Sequence, residues 1–132
     1  MLKNRSIPNV TIIPELAYPD PGVAADWLCR AFGFTVRVRI DNHRVQLNAG
    51  DGAIVAVEGR GGGSSVMMRV EDVDSHHEHA RRAGAKILQT PTYHPYGERQ
   101  YAAEDCGGHK WKFTQSTADV APEVWGGESV NL

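Results

Sequence analysis

His76, His77 and His79 fall within four consecutive positions. His76 and His79 stand one helical turn apart and could share a face, the spacing at which imidazoles begin to form a metal site. No further ligand in the sequence is drawn toward them, and a plainer reading is expected. His77 lies on an apolar stripe and packs partly buried, while His76 and His79 face solvent. His109, after the Gly107-Gly108 turn, invites a general-base role, but packing at the turn is the expected one. Cys29 and Cys106 lack CxxC spacing and are expected to be reduced thiols rather than a bridge or a metal knuckle. No Ser-His-Asp or Cys-His constellation can be assembled from sequence order.

These residues sit in a chain of 132 residues, 41% hydrophobic and 23% charged, which suits one domain and one site region. The formal charge is −2, with Lys and Arg scattered among acids, so no electrostatic footprint for nucleic acid is expected. No apolar run approaches a membrane span. Lys3 and Arg5 are followed by no apolar stretch of the kind a secretion signal needs, so a cytoplasmic location is expected.

The elements follow from periodicity and punctuation. Val10 to Tyr18 reads as a strand ending at Pro19-Asp20-Pro21-Gly22, where Asp20 can cap a helix and Pro21 can open it. Ala24, Trp27, Leu28, Ala31 and Phe32 give that helix one apolar face, and Gly33 stops it. Three strands follow, at 35–40, 44–49 and 53–58, separated by Asp41-Asn42 and Gly50-Asp51-Gly52 turns. The glycine-rich stretch from Arg60 to Ser65 reads as a flexible joint. The order then repeats: a strand at 66–70, a cap at Glu71-Asp72, a helix carrying Val73, His77, Ala80 and Ala83 up to Gly84, then strands at 86–89, 99–104 and 109–115. The chain is thus expected to be α+β, two βαβββ modules, about 8–59 and 65–116, with a tail from 117 to 132. Pro122, Gly126 and Gly127 keep that tail from forming a long helix, and Trp125 is its expected anchor.

Several stretches carry a resemblance. They are Tyr18-Pro19-Asp20 with Ala31-Phe32-Gly33-Phe34, Val70-Glu71-Asp72-Val73-Asp74 with Ala83-Gly84-Ala85, and Tyr96-Gly97-Glu98-Arg99. Glu104-Asp105-Cys106-Gly107-Gly108-His109-Lys110-Trp111 and Trp125-Gly126-Gly127 complete the set. In this order and spacing the chain resembles the vicinal oxygen chelate superfamily of glyoxalases, bleomycin-resistance proteins and extradiol dioxygenases. The resemblance implies paired modules whose curled mixed sheet encloses a cleft, commonly in a homodimer. It fixes no reaction, because the fold serves metal-dependent isomerases, lyases and oxygenases as well as metal-free proteins that sequester cationic antibiotics.

The metal positions implied by the resemblance fall near Ile13, Ala56, Ser65 and Lys112, a set with no good ligand. A shift of one or two residues would bring in Glu15 or Glu58, and two carboxylates without an imidazole make a thin transition-metal site. Strand alternation is expected to turn Glu15, Glu58, Met67, Arg69 and Lys112 into the cleft, and to pack Trp111 and Phe113 under a helix. Internal salt bridges are the competing role for the charged members. Tyr93, His94, Tyr96, Glu98, Arg99 and Tyr101 lie on or beside a Pro-bounded loop at the cleft mouth, and Arg99 and Tyr101 join the candidate ligand-binding set. The leading expectation is a metal-independent small-molecule-binding protein of bleomycin-resistance type with no cofactor. The alternatives are a lyase, isomerase or dioxygenase holding a divalent metal ion, and a non-catalytic dimeric interaction module.

Overall fold

The computed structural model describes residues 2–132. Strand β1 (Glu15–Tyr18) leads into helix α1 (Pro21–Phe32), followed by β2 (Thr35–Ile40), β3 (Arg44–Ala49) and β4 (Gly52–Glu58). The second module repeats the order with β5 (Ser65–Arg69), α2 (Val73–Arg82), β6 (Lys86–His94), β7 (Glu98–Glu104) and β8 (Lys110–Ser116). Two four-stranded mixed sheets result, ordered β1-β4-β3-β2 and β5-β8-β7-β6. In each, the first strand runs parallel to the last and the others pair antiparallel.

The helices start and stop for the reasons the sequence supplies. The Asp20 carboxylate accepts the Val23 N–H at 3.1 Å, and Asp72 accepts that of Ser75 at 3.1 Å, each satisfying a donor left free in a first turn. Gly33 turns left-handed at φ 78° to end α1. β1 is shorter than the run from Val10 to Tyr18 suggested, because Pro14 has no N–H to give a ladder. β6 is longer than expected and takes in Tyr93 and His94, leaving only a tight turn before β7.

The two modules share one core, between the sheets and the helices. Phe32 at the end of α1 meets Trp111 and Phe113 of β8 edge-on, at centroid separations of 5.6 and 4.9 Å. Each such aromatic pair contributes roughly 0.5–1.5 kcal/mol beyond its buried area. α2 lies against the end of α1, and here the histidines depart from expectation. His76 is half-buried, not solvated, and its Nε2 lies 3.3 Å from the Phe32 carbonyl, while His79 Nε2 lies 2.8 Å from that of Arg30. A carbonyl only accepts, so both ring nitrogens donate to last-turn carbonyls that α1 itself cannot satisfy. The histidine cluster is a helix–helix joint.

A second joint ties β1 to the turn before β8. Asp105 is buried and accepts from the Tyr18 hydroxyl at 2.6 Å, Trp111 Nε1 at 3.0 Å and the backbone N–H groups of Gly107 and His109. His109, also buried, donates Nε2–H to the Ala17 carbonyl at 2.7 Å and pairs Nδ1 with the Ser64 hydroxyl at 2.5 Å. The stretch from Arg60 to Ser65 is therefore docked rather than loose. Gly61 and Gly107 permit the approach: a Cβ on Gly61 would overlap the Gly107 carbonyl, and one on Gly107 would overlap the Tyr18 ring.

Candidate functional site

Residues paired across neighbouring strands share a face, and one face of each sheet packs on its helix. The other face is left open by the helices. On the first sheet it carries Glu15, Ala17, Arg44, Gln46, Asn48, Val55 and Val57. Glu15 is held by Arg44 at 2.8 Å. Gln46 is 4% exposed although it points away from the helices, because the N-terminal segment crosses it. Gln46 Nε2 donates to the Ser6 carbonyl at 2.8 Å, Arg37 Nη2 donates to that of Arg5 at 2.8 Å, and Pro8 is buried. The β-bulge between Val36 and Val38 brings Arg37 to this face, where its Nη1 also donates to Gln46 Oε1. This strap closes part of the first sheet's own face.

The second sheet's open face is arranged in rows, Met67-Lys112-Ala102 and Arg69-Thr114-Gln100, with Ser116 and Glu98 beyond. The far end is a satisfied polar chain. Tyr96 donates to Gln100 at 3.1 Å, Gln100 to Thr114 at 3.0 Å, and Thr114 to Glu98 at 2.6 Å. Burial works against the Glu98 charge, but hydrogen bonds from Ser116 and Thr114 and the nearby Arg69 outweigh it and hold the carboxyl below its ordinary range. Trp125, in a short 3₁₀ turn at Pro122–Trp125, packs edge-on to Tyr96 at 5.4 Å and anchors the tail here. Met67, Arg69, Lys110 and Lys112 remain exposed. Beside them a pocket of about 490 Å³ opens at the seam of the modules, lined by Ile12, Pro14, Ile54, Met67, Arg69 and Trp111 among others. Its walls are mostly apolar, and its size suits a small organic molecule.

A family model described as Glyoxalase/Bleomycin resistance protein/Dioxygenase superfamily matches residues 9–113. The chain belongs to that superfamily. The crystal structure of TioX from Micromonospora sp. ML1 is 35% identical, with a TM-score of 0.73, covering 82% of this chain and 99% of that one. TnmS3, an antibiotic binding protein from Streptomyces sp. CB03234, is 20% identical with a TM-score of 0.69, covering 82% and 98%. Lactoylglutathione lyase from Agrobacterium tumefaciens is 13% identical with a TM-score of 0.69, covering 83% and 96%. At the last two identities the likeness is one of fold. No curated protein matches the chain.

Within the superfamily fold, the expected site residues divide. Glu15, Met67, Arg69 and Lys112 lie on open faces, and Trp111 and Phe113 pack under the helices. Glu58 does not join Glu15: it pairs with Tyr18, one step out of phase, and its side chain lies with Asp20 and His43 by the start of α1. Ala56 is likewise on the helix side and fully buried. Tyr101 is buried under α2, where its hydroxyl meets His76 Nδ1, and burial raises its phenol above the ordinary value. Arg99 is on that side too, forked onto Asp74 at 2.9–3.3 Å and stacked 4.3 Å over Tyr93. Glu58 departs from expectation because register between strands, not phase along one strand, decides which residues share a face, and Arg99 and Tyr101 depart because the expected loop is a strand pair, β6 and β7, whose alternation turns both toward α2.

The donor chemistry at the family's metal positions does not fit a metal. Around Glu15 the open-face neighbours are Val55, Val57, Arg44 and Gln46, and at the other half Ser65 and Met67 face Lys110 and Lys112. Glu15 and Glu58 cannot act together across the sheet. No group of three or more metal-ligating side chains gathers among the described residues. Neither thiol is primed for attack: partial burial raises the Cys29 thiol, and at Cys106, an exposed residue, desolvation of the sulfur and the adjacent Asp105 carboxylate raise the thiol to about 11. Sequence reasoning missed the strap and its partners Arg37 and Gln46; its signals were Pro8 just ahead of the strand-like run from Val10 to Tyr18 and Pro14 within it.

Proposed function

We propose that the chain is a metal-independent small-molecule-binding protein of bleomycin-resistance type, acting as a homodimer. The observation that supports it most is the character of the second sheet's open face. Met67 is 60% exposed and lines a mostly apolar pocket together with Arg69 and Asp51, Lys112 stands across from it on β8, and no ligand set for an ion gathers there among the described residues. Sequestration needs a surface of this kind and no group that moves a proton or an electron pair. The same fold appears in an antibiotic binding protein and in a lyase, so the assignment rests on the site chemistry rather than the fold.

The test is a metal titration beside a ligand screen on purified protein. Co²⁺ and Ni²⁺ are expected to show no stoichiometric tight binding by calorimetry, and such binding overturns the reading. A cognate small molecule at a hundred times its dissociation constant raises folding stability by about 2.7 kcal/mol, well within reach of thermal shift. Light scattering after gel filtration should give twice the chain mass for the homodimer.

A further inference from the structure

Resting on that reading of the second open face, the geometry points to a ligand class: a small molecule that joins an apolar, ring-sized body to an anionic group. Met67 stands directly across from Lys112, and Arg69 lies one row further along. Lys110, Lys112 and Arg69 have no carboxylate within ion-pair distance among the described residues, whereas Arg39, Arg44, Arg81, Arg82, Lys86 and Arg99 all have one. The two acids on this face are already engaged. Glu104 reaches Lys86 at 3.5 Å, and Glu98 accepts from Thr114 while tempering Arg69 from a distance.

Lys112 therefore sits centrally, between Met67 and Ala102, as a solvated cation with apolar neighbours. An anionic group placed there gains charge-assisted hydrogen bonds, and the carboxylate that lines the pocket, Asp51, stands in the β3–β4 turn rather than on this face, while the ring body covers Met67 and enters the pocket toward Ile12 and Trp111. A cationic ligand would meet like charge at the same place. The face thus favours acidic amphipathic molecules over polycations.

The probes that test this are 8-anilinonaphthalene-1-sulfonate and its uncharged counterpart N-phenyl-1-naphthylamine, titrated by fluorescence against the full chain, with urea midpoints and near-ultraviolet circular dichroism recorded for every variant. The sulfonate is expected to bind saturably, a single molecule per chain, more weakly as salt rises. Lys112→Gln should weaken it about tenfold and leave the uncharged probe unchanged, and Met67→Glu should weaken both. If Lys112→Gln and Arg69→Gln leave sulfonate affinity intact while Met67→Glu removes it, the ligand class is wrong and the binding face stands. If Met67→Glu leaves both probes bound as before, the face itself is wrong.

Discussion

Asp105 concentrates more of the fold's polar interaction than any other residue of the joint between modules. Four donors converge on one buried carboxylate, including the Tyr18 hydroxyl from the other half of the chain. Asp105→Ala leaves those donors without a partner in a dry place and should cost about 3–5 kcal/mol, read from urea unfolding. Tyr18→Phe removes a single donor, and should cost about 1–2 kcal/mol. Burial and the adjacent Asp105 carboxylate push the Tyr18 phenol far above its ordinary value, so it still carries the proton it donates at alkaline pH where a free tyrosine ionises.

Among the elements, the contact of α2 with the end of α1 carries a pH dependence of definite sign. Burial lowers the His76 pKa below its ordinary value, so the folded chain holds the ring neutral at pH values where the unfolded chain protonates it. Stability from this group is intact above about pH 6.5 and declines as pH falls below it toward the folded value. The urea midpoint should therefore drop between pH 7 and pH 5, and His76→Gln should flatten that dependence while lowering stability throughout. The strap over the first sheet is a separable element. Deleting residues 2–8 removes the carbonyls that Arg37 and Gln46 bond, and should cost about 1–2 kcal/mol without unfolding the chain. Hydrogen exchange should then quicken on β3 around Gln46 and stay unchanged on β8.

For the molecule as a whole, the modules behave as one body because their core and both joints are shared. Gly61→Val drives a side chain into the Gly107 backbone and should separate that contact. The expected result is a loss of more than about 2 kcal/mol, within the range of severe overpacking, and a less cooperative unfolding transition. Wild-type chain should unfold in a single step by fluorescence and circular dichroism alike.

The duplicated βαβββ order, both helices with their caps, and the hairpins were legible from residue types alone. Apolar spacing, Asp before each helix and Gly after it are local codes, and the matching family model confirms the fold they spell. Part of the second sheet's open face was legible too, in the alternation that turns Met67, Arg69 and Lys112 away from the helices. The positions of Glu58, Arg99, Tyr101 and His76 were not. Which strand residues share a face depends on the register of β1 against β4 and of β7 against β8, and a one-residue change in phase reverses every side chain. His76 leaves solvent only because α2 meets the unsatisfied carbonyls of a helix more than forty residues earlier in the chain, and the first sheet's face is part-covered only because a distant strap lies across it. Contacts of that kind are set by packing between segments, which no local pattern encodes.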